Sequence, residues 1–199
     1  MPAAAVVTAQ NPWRTMWFSP RVTIRRVLDA EARSSWVPVV ALAAVSSAFG
    51  SLQLDPDTTA LSASRSAMPM IIGVLQLIFG VLVGPFLLAF VGGWLGGEAD
   101  PADIREAVAW SYVPIAVGSL LWMPLLLAFG SRVFHNDLAP QSALPWPAML
   151  MLLGISLSYL WSIPLLVGGL AEVQRFSIGK AILSLIILGI PLVLLSAIG

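Results

Sequence analysis

The side chains in this chain that could do chemistry fall into three groups, and none has the spacing of a reaction centre. The first is the single histidine, His135, in the stretch SRVFHNDLAPQSALPWP with Asp137 two residues on. One imidazole beside one carboxylate in a loop reads as a solvated pair, because a protein metal site needs three or four converging ligands. The second is a dense run of acids, Glu98, Asp100, Asp103 and Glu106. Closely placed carboxylates can divide acid and base roles between them. Here Asp100 stands as N-cap before Pro101, and Asp103 falls in the first turn, where the helix dipole favours an acid. The third group is Gln76, Tyr112, Tyr159 and several serines set within apolar sequence. None of these ionises near neutral pH. Cysteine is absent, which excludes thiol catalysis, disulfides and thiolate metal sites. No HExxH, GxSxG or phosphate-binding loop is present. The chain reads as non-enzymatic, with no catalytic residue, no metal site and no cofactor expected.

The elements that carry these groups follow from composition. Of 199 residues 58% are hydrophobic and 10% are charged, against roughly 25% charged in soluble domains. So little charge cannot cover a water-facing surface, and the chain is read as an integral membrane protein. A formal net charge of zero gives no basic footprint for nucleic acid. Five apolar segments, 36–52, 68–95, 107–129, 147–170 and 181–198, contain no charged residue. A helix needs about 20 residues to cross a hydrocarbon core, and continuous apolar runs of this length must be helical. The fold class is therefore an all-α membrane protein, a bundle of five transmembrane helices preceded by a short amphipathic interfacial helix. Residues 1–35 form the leader and 36–199 the five-span domain. The segments at 36–52 and 181–198 are barely long enough, and the short length and mild flanks of the last make it the weak point of the layout. Proton pumps and voltage sensors place ionisable groups inside their spans, and these spans hold none.

Orientation follows from the cations. Arg14, Arg21, Arg25, Arg26, Arg33, Arg105, Arg175 and Lys180 fall on one side of this layout, and only Arg65 and Arg132 on the other. The excess marks the cytoplasmic side, which puts the N-terminus inside and the C-terminus outside. MPAAAVVTAQNPW has no cation before its short apolar patch, so it does not read as a cleaved signal peptide. In the leader, Ser19 and Pro20 suit N-cap and first helical positions. Ile24, Val27 and Leu28 share one face, and Arg21 and Arg25 another. This describes a helix lying against the cytoplasmic leaflet, its cations meeting anionic head groups at roughly 1 kcal/mol each. Trp36, Trp94, Trp110 and Trp146 fall near span ends as interface anchors, whereas Trp122 and Trp161 sit deeper and face packing partners.

Within the spans, Gly80 and Gly84, Gly92 and Gly96, and Gly93 and Gly97 are spaced by four on the second segment. Such spacing lets helix backbones approach, inside the bundle or across a dimer. Gln76 is expected to make one interhelical hydrogen bond. Pro85, Pro114, Pro124, Pro164 and Pro191 interrupt helical bonding, and Ser111, Ser119 and Ser162 are candidates to repair it.

Three stretches together resemble the Yip1 domain family, in particular its compact bacterial branch. They are the aromatic and basic leader PWRTMWFSPRVTIRRVLD, the loop and helix start GGEADPADIREAVAWSYVPIAVG with Tyr112 and Pro114 in the family's places, and GLAEVQRFSIGKAIL with Gly169, Phe176, Ser177 and Ala181. The resemblance covers essentially the whole chain. It implies a five-helix membrane domain with a cytoplasmic N-terminus. Eukaryotic relatives act in Golgi and endoplasmic-reticulum trafficking and associate with Rab-type small GTPases. Their aspartate-leucine-tyrosine-glycine-proline stretch is missing here, so that partner is not carried over. Bacterial members have no settled activity.

The resulting expectation is an organising or assembly partner of other membrane components in the bacterial cytoplasmic (inner) membrane. Its partners would be membrane lipids at the basic helix and a protein partner or second copy. Arg21, Arg25, Arg26, Arg105, Glu106, Glu172 and Arg175 are the candidate lipid or partner contacts. Gly80, Gly84, Gly92, Gly93, Gly96, Gly97, Gln76, Tyr112 and Pro114 are the candidate packing positions. The alternative is a small transporter, channel or lipid-moving protein, which requires a continuous polar path; the serines, scattered in sequence, count against one.

Overall fold

A computed structural model of the chain describes residues 11–30, 35–52, 63–134 and 144–198. His135, Asp137 and Arg33 lie outside the described residues. Regular structure among them is helical throughout: α1 Pro12–Thr15, α2 Pro20–Asp29, α3 Val37–Gly50, α4 Ala63–Leu82, α5 Gly84–Trp94, α6 Pro101–Ser111, α7 Val113–Gly118, α8 Trp122–Phe129, α9 Trp146–Val173 and α10 Ile178–Ile198. Each of the five apolar segments contains helix, and among the described residues two or three helices meet the length and apolarity of a crossing. Pro101–Phe134 and Trp146–Val173 are long and apolar enough to span a membrane. The pair Ala67–Leu82 and Gly84–Trp94, bent by 42°, counts as a third if it forms one broken span. Val37–Gly50 and the Ile178–Ile190 part of α10 are apolar but shorter than that.

Prolines explain where the long segments break. Pro85 lies in the first turn of α5, and Pro114 in the first turn of α7, each just after an interruption. A proline removes its own helical hydrogen bond and crowds the turn before it, so a new helix starts where the old one cannot continue. Pro164, by contrast, lies inside an unbroken α9. The expected serine repair takes a different form. Ser111, Ser119 and Ser162 donate to the carbonyls of Val108, Ala116 and Tyr159, each three residues back. Those are not the carbonyls that Pro114, Pro124 and Pro164 leave without an N–H donor. The hydroxyls therefore satisfy themselves locally.

α9 is the central post, in contact with α2, α6, α7, α8 and α10. One core gathers Leu77, Val81, Leu88, Ile104, Val108 and Leu170. A second joins the leader to the bundle: Met16 and Ile24 are fully buried among Val39, Ala107, Trp110 and Leu165. The face of α2 expected to lie on the bilayer surface is thus covered by protein, because α6 and α9 present a matching apolar surface to it. Trp110, expected at an interface, is buried edge-on against Trp13 with ring centroids 6.4 Å apart. Trp122 does pack inward, stacked on Phe134 and donating to Ser46 Oγ at 3.1 Å. Trp161 is partly exposed and donates to the Trp17 carbonyl at 3.2 Å.

Candidate functional site

One end of the bundle collects the start of α2, the end of α5, the start of α6, the end of α9 and the start of α10. The leader reaches it because α9 carries no side chain where α2 crosses. A Cβ on Gly168 would lie 3.0 Å from the Pro20 ring, and one on Gly169 would lie 3.2 Å from Ala107 Cβ. Ser19 precedes α2 as expected but makes no side-chain cap; the Thr23 hydroxyl donates to its carbonyl at 2.9 Å. Arg21 and Arg25, one turn apart on the face beside Ile24, then converge on a single carboxylate. Arg21 Nε donates to Glu172 Oε2 at 3.2 Å, and Arg25 Nε to Glu172 Oε1 at 2.6 Å. The carboxylate is 11% exposed while the arginines are 48% and 68% exposed. Charge-assisted bonds of this kind are among the stronger ones, but guanidiniums open to water lose much of that gain. Two cations on one anion also leave this patch with one positive charge in excess.

Just beyond Glu172 the helix is closed by a left-handed cap. Phe176 N–H donates to Ala171 O at 2.9 Å and Arg175 N–H to Glu172 O at 3.2 Å, the bonding of a Schellman motif. Arg175 takes the left-handed position with φ 55° and is the one non-glycine residue with positive φ among the described residues. α5 ends in the same way, with Gly97 N–H on Gly92 O at 2.9 Å, Gly96 N–H on Gly93 O at 3.1 Å, and Gly96 at φ 83°. The two caps dock on each other. The buried Gln174 side chain donates to Leu88 O at 3.0 Å and lies over Gly92 and Gly97, and the Phe176 ring lies over Gly97. Lys180 Nζ completes the joint by donating to Leu95 O at 2.8 Å.

The candidate contact residues therefore divide. Arg21, Arg25 and Glu172 meet, and Arg175 stands exposed beside them. Arg105 lies over the Trp36 ring at 5.9 Å, and Glu106 is buried within α6. Arg26 is exposed on α2 and, with Arg14, lines a small polar pocket between α1 and α2. Among the packing candidates, Gly92 and Gly97 are places of close approach and Gly80 faces the Tyr112 hydroxyl. Gly84 and Gly93 have nothing opposite them. Pro114 is buried in α7. Gln76 is exposed on α4, not buried in an interhelical bond, and lines a cavity of about 830 Å³. Ser47, Ser111, Tyr112, Tyr159 and Ser162 line it too, so residues scattered in sequence converge from α3, α4, α6 and α9. Gln174 was not singled out by sequence, and Lys180 entered only as one of the orienting cations. A signal existed in the polar residues Gln174 and Lys180 flanking Phe176 in VQRFSIGK, but only their partners 86 and 85 residues away give it meaning. Among the described residues no group of three or more His, Asp or Glu could hold a metal ion.

A family model described as Yip1 domain matches residues 13–199 of the chain. No curated protein and no solved structure matches it.

Proposed function

The chain belongs to the Yip1 domain family, a family of membrane proteins, and from that premise we propose that it organises or assembles other membrane components without catalysing a reaction. In this reading it is a multi-pass protein of a bacterial cytoplasmic membrane, with its N-terminus inside and its C-terminus outside. The observation that carries the reading is the gathered end of the bundle. The leader, two helix caps and the basic residues of three separate sequence stretches share it, and it presents exposed arginines around a joint bonded through Gln174 and Lys180. A surface fixed in this way suits recognition of a partner, because little freedom remains to be lost on binding. The excess of cations on this side in the sequence favours a cytoplasmic placement. Replacing Arg21, Arg25 and Arg175 together by glutamine should reduce recovery of a co-extracted partner, or of a second copy, from native lipid particles by tenfold or more. Full recovery with unchanged topology would sink the organising role.

The cavity lined by Gln76, Tyr112 and Tyr159 favours a second reading as a small transporter or lipid-moving protein. It supplies neutral hydrogen-bonding groups, from four helices, at the level of the apolar segments. The two readings separate in reconstituted vesicles, where only the second predicts flux.

A further inference from the structure

We propose that the leader and the α9–α10 pair form a binding site for one anionic phospholipid, its phosphate held between α1 and α2 and an acyl chain lying beneath α2. Two adjoining spaces carry the inference. The first is an apolar groove of about 840 Å³ between α9 and α10, crossed at its mouth by the start of α2. Its walls include Ile163, Val167, Ile178, Ile182 and Ile186. From residue 178 to 186 it runs about 12 Å along α10 at about 1.5 Å per residue. The second is a polar pocket of about 300 Å³ lined by Arg14, Arg26 and the hydroxyl residues Thr15, Ser19 and Thr23. Phe18, Ser19 and Val22 belong to both linings, so the two spaces adjoin at the start of α2. Phe18 is 85% exposed.

The occupant follows from this pairing. The Arg14 and Arg26 guanidiniums beside the Thr15 and Ser19 hydroxyls suit a phosphate, which accepts several charge-assisted hydrogen bonds at once; the Thr23 hydroxyl is already given to the Ser19 carbonyl. The Arg21–Arg25–Glu172 cluster at the groove mouth adds one positive charge in excess. An isoleucine-rich groove in apolar helices suits hydrocarbon. One molecule carrying an anionic head and an acyl chain satisfies both spaces; a free phosphate fills only the first, and a neutral chain only the second. The proposal rests on the membrane reading and not on the organising role, so partner recovery by the unaltered chain tests that role separately.

The test is native mass spectrometry of the full chain, released from detergent and offered phosphatidylglycerol or phosphatidylcholine of the same acyl length. One retained phosphatidylglycerol per chain is expected, with phosphatidylcholine retained at least tenfold less. The double variant Arg14→Gln, Arg26→Gln should lose affinity about twenty-five-fold, the product of roughly fivefold for each basic side chain near an anionic lipid. Ile182→Trp should abolish retention by filling the groove, while Ile182→Leu keeps it. Circular dichroism of each variant verifies its helix content, and the Leu control separates a filled groove from a damaged fold. Equal retention of the two lipids, or retention unaffected by Ile182→Trp, overturns the site. So does retention of inorganic phosphate alone as tight as that of phosphatidylglycerol, or a second copy of the chain occupying the groove.

Discussion

At the scale of single residues, Arg175 is the position where local cost and use are most clearly opposed. A left-handed backbone costs an L-residue about 1–2 kcal/mol, and glycine is the common solution at this place in a helix cap. α5 uses it, with Gly96 at φ 83°, whereas α9 puts Arg175 there at φ 55°. Strain of this kind points from an observed outlier towards function. Arg175→Gly is expected to raise stability by up to about 1 kcal/mol, part of the relief being offset by the greater freedom of glycine in the unfolded chain. Arg175→Val should lower stability instead, because a β-branched residue is a poor fit to positive φ. Thermal unfolding in one detergent compares the two. Asp100 was legible in advance, and its carboxylate accepts the Ala102 N–H at 2.7 Å. Arg175 was not, since nothing in its side chain announces a left-handed backbone. The pairing of Arg25 with Glu172 was equally hidden, across 147 residues.

At the scale of elements, the glycines of α5 separate into two kinds that the sequence presents as one stripe. Gly92 lies under the buried Gln174 side chain, while Gly93, one residue on, faces open space. Gly92→Ala must displace an amide already bonded to Leu88 O, and overpacking of this sort costs about 1–3 kcal/mol. Gly93→Ala meets nothing and should gain up to about 1 kcal/mol from helix propensity. Opposite signs for neighbouring substitutions, measured as resistance to denaturing detergent, are the expected result; equal effects would remove the joint between the caps. Spacing alone shows that small residues lie on one face, and only the neighbour decides which of them is needed. The same holds for α2, whose amphipathic face is plain in the sequence although its partner is not. A face of Ile24, Val27 and Leu28 fits lipid and fits α6 and α9 equally well by type. The burial of Ile24 was settled by Gly168 and Gly169, far along the chain.

At the scale of the whole molecule, composition announced a helical membrane protein, and the long apolar segments gave the order of its helices. Crossings were harder to read than apolarity, because the run through Pro85 is bent by 42° and α3 uses 14 residues of its segment. The convergence of Gln76, Ser111, Tyr112 and Tyr159 is likewise a property of the assembled bundle, invisible to a search for a polar face along one helix. If that cavity is a path, Gln76→Leu with Tyr112→Phe should reduce solute or lipid flux in vesicles at least tenfold while leaving the helix content intact. Flux absent from the unaltered protein would leave the cavity a feature of packing.

The docking of α2 on α9 also sets a timetable. Arg25 leaves the ribosome 147 residues before Glu172, an interval of roughly 7 to 30 seconds at a synthesis rate of about 5–20 residues per second. Throughout that wait Ile24 and Met16 have no α9 to cover them, and the first helices to enter the bilayer do so beside an unsecured leader. The contact that fastens the start of the chain is therefore among the last that a newly made molecule can form.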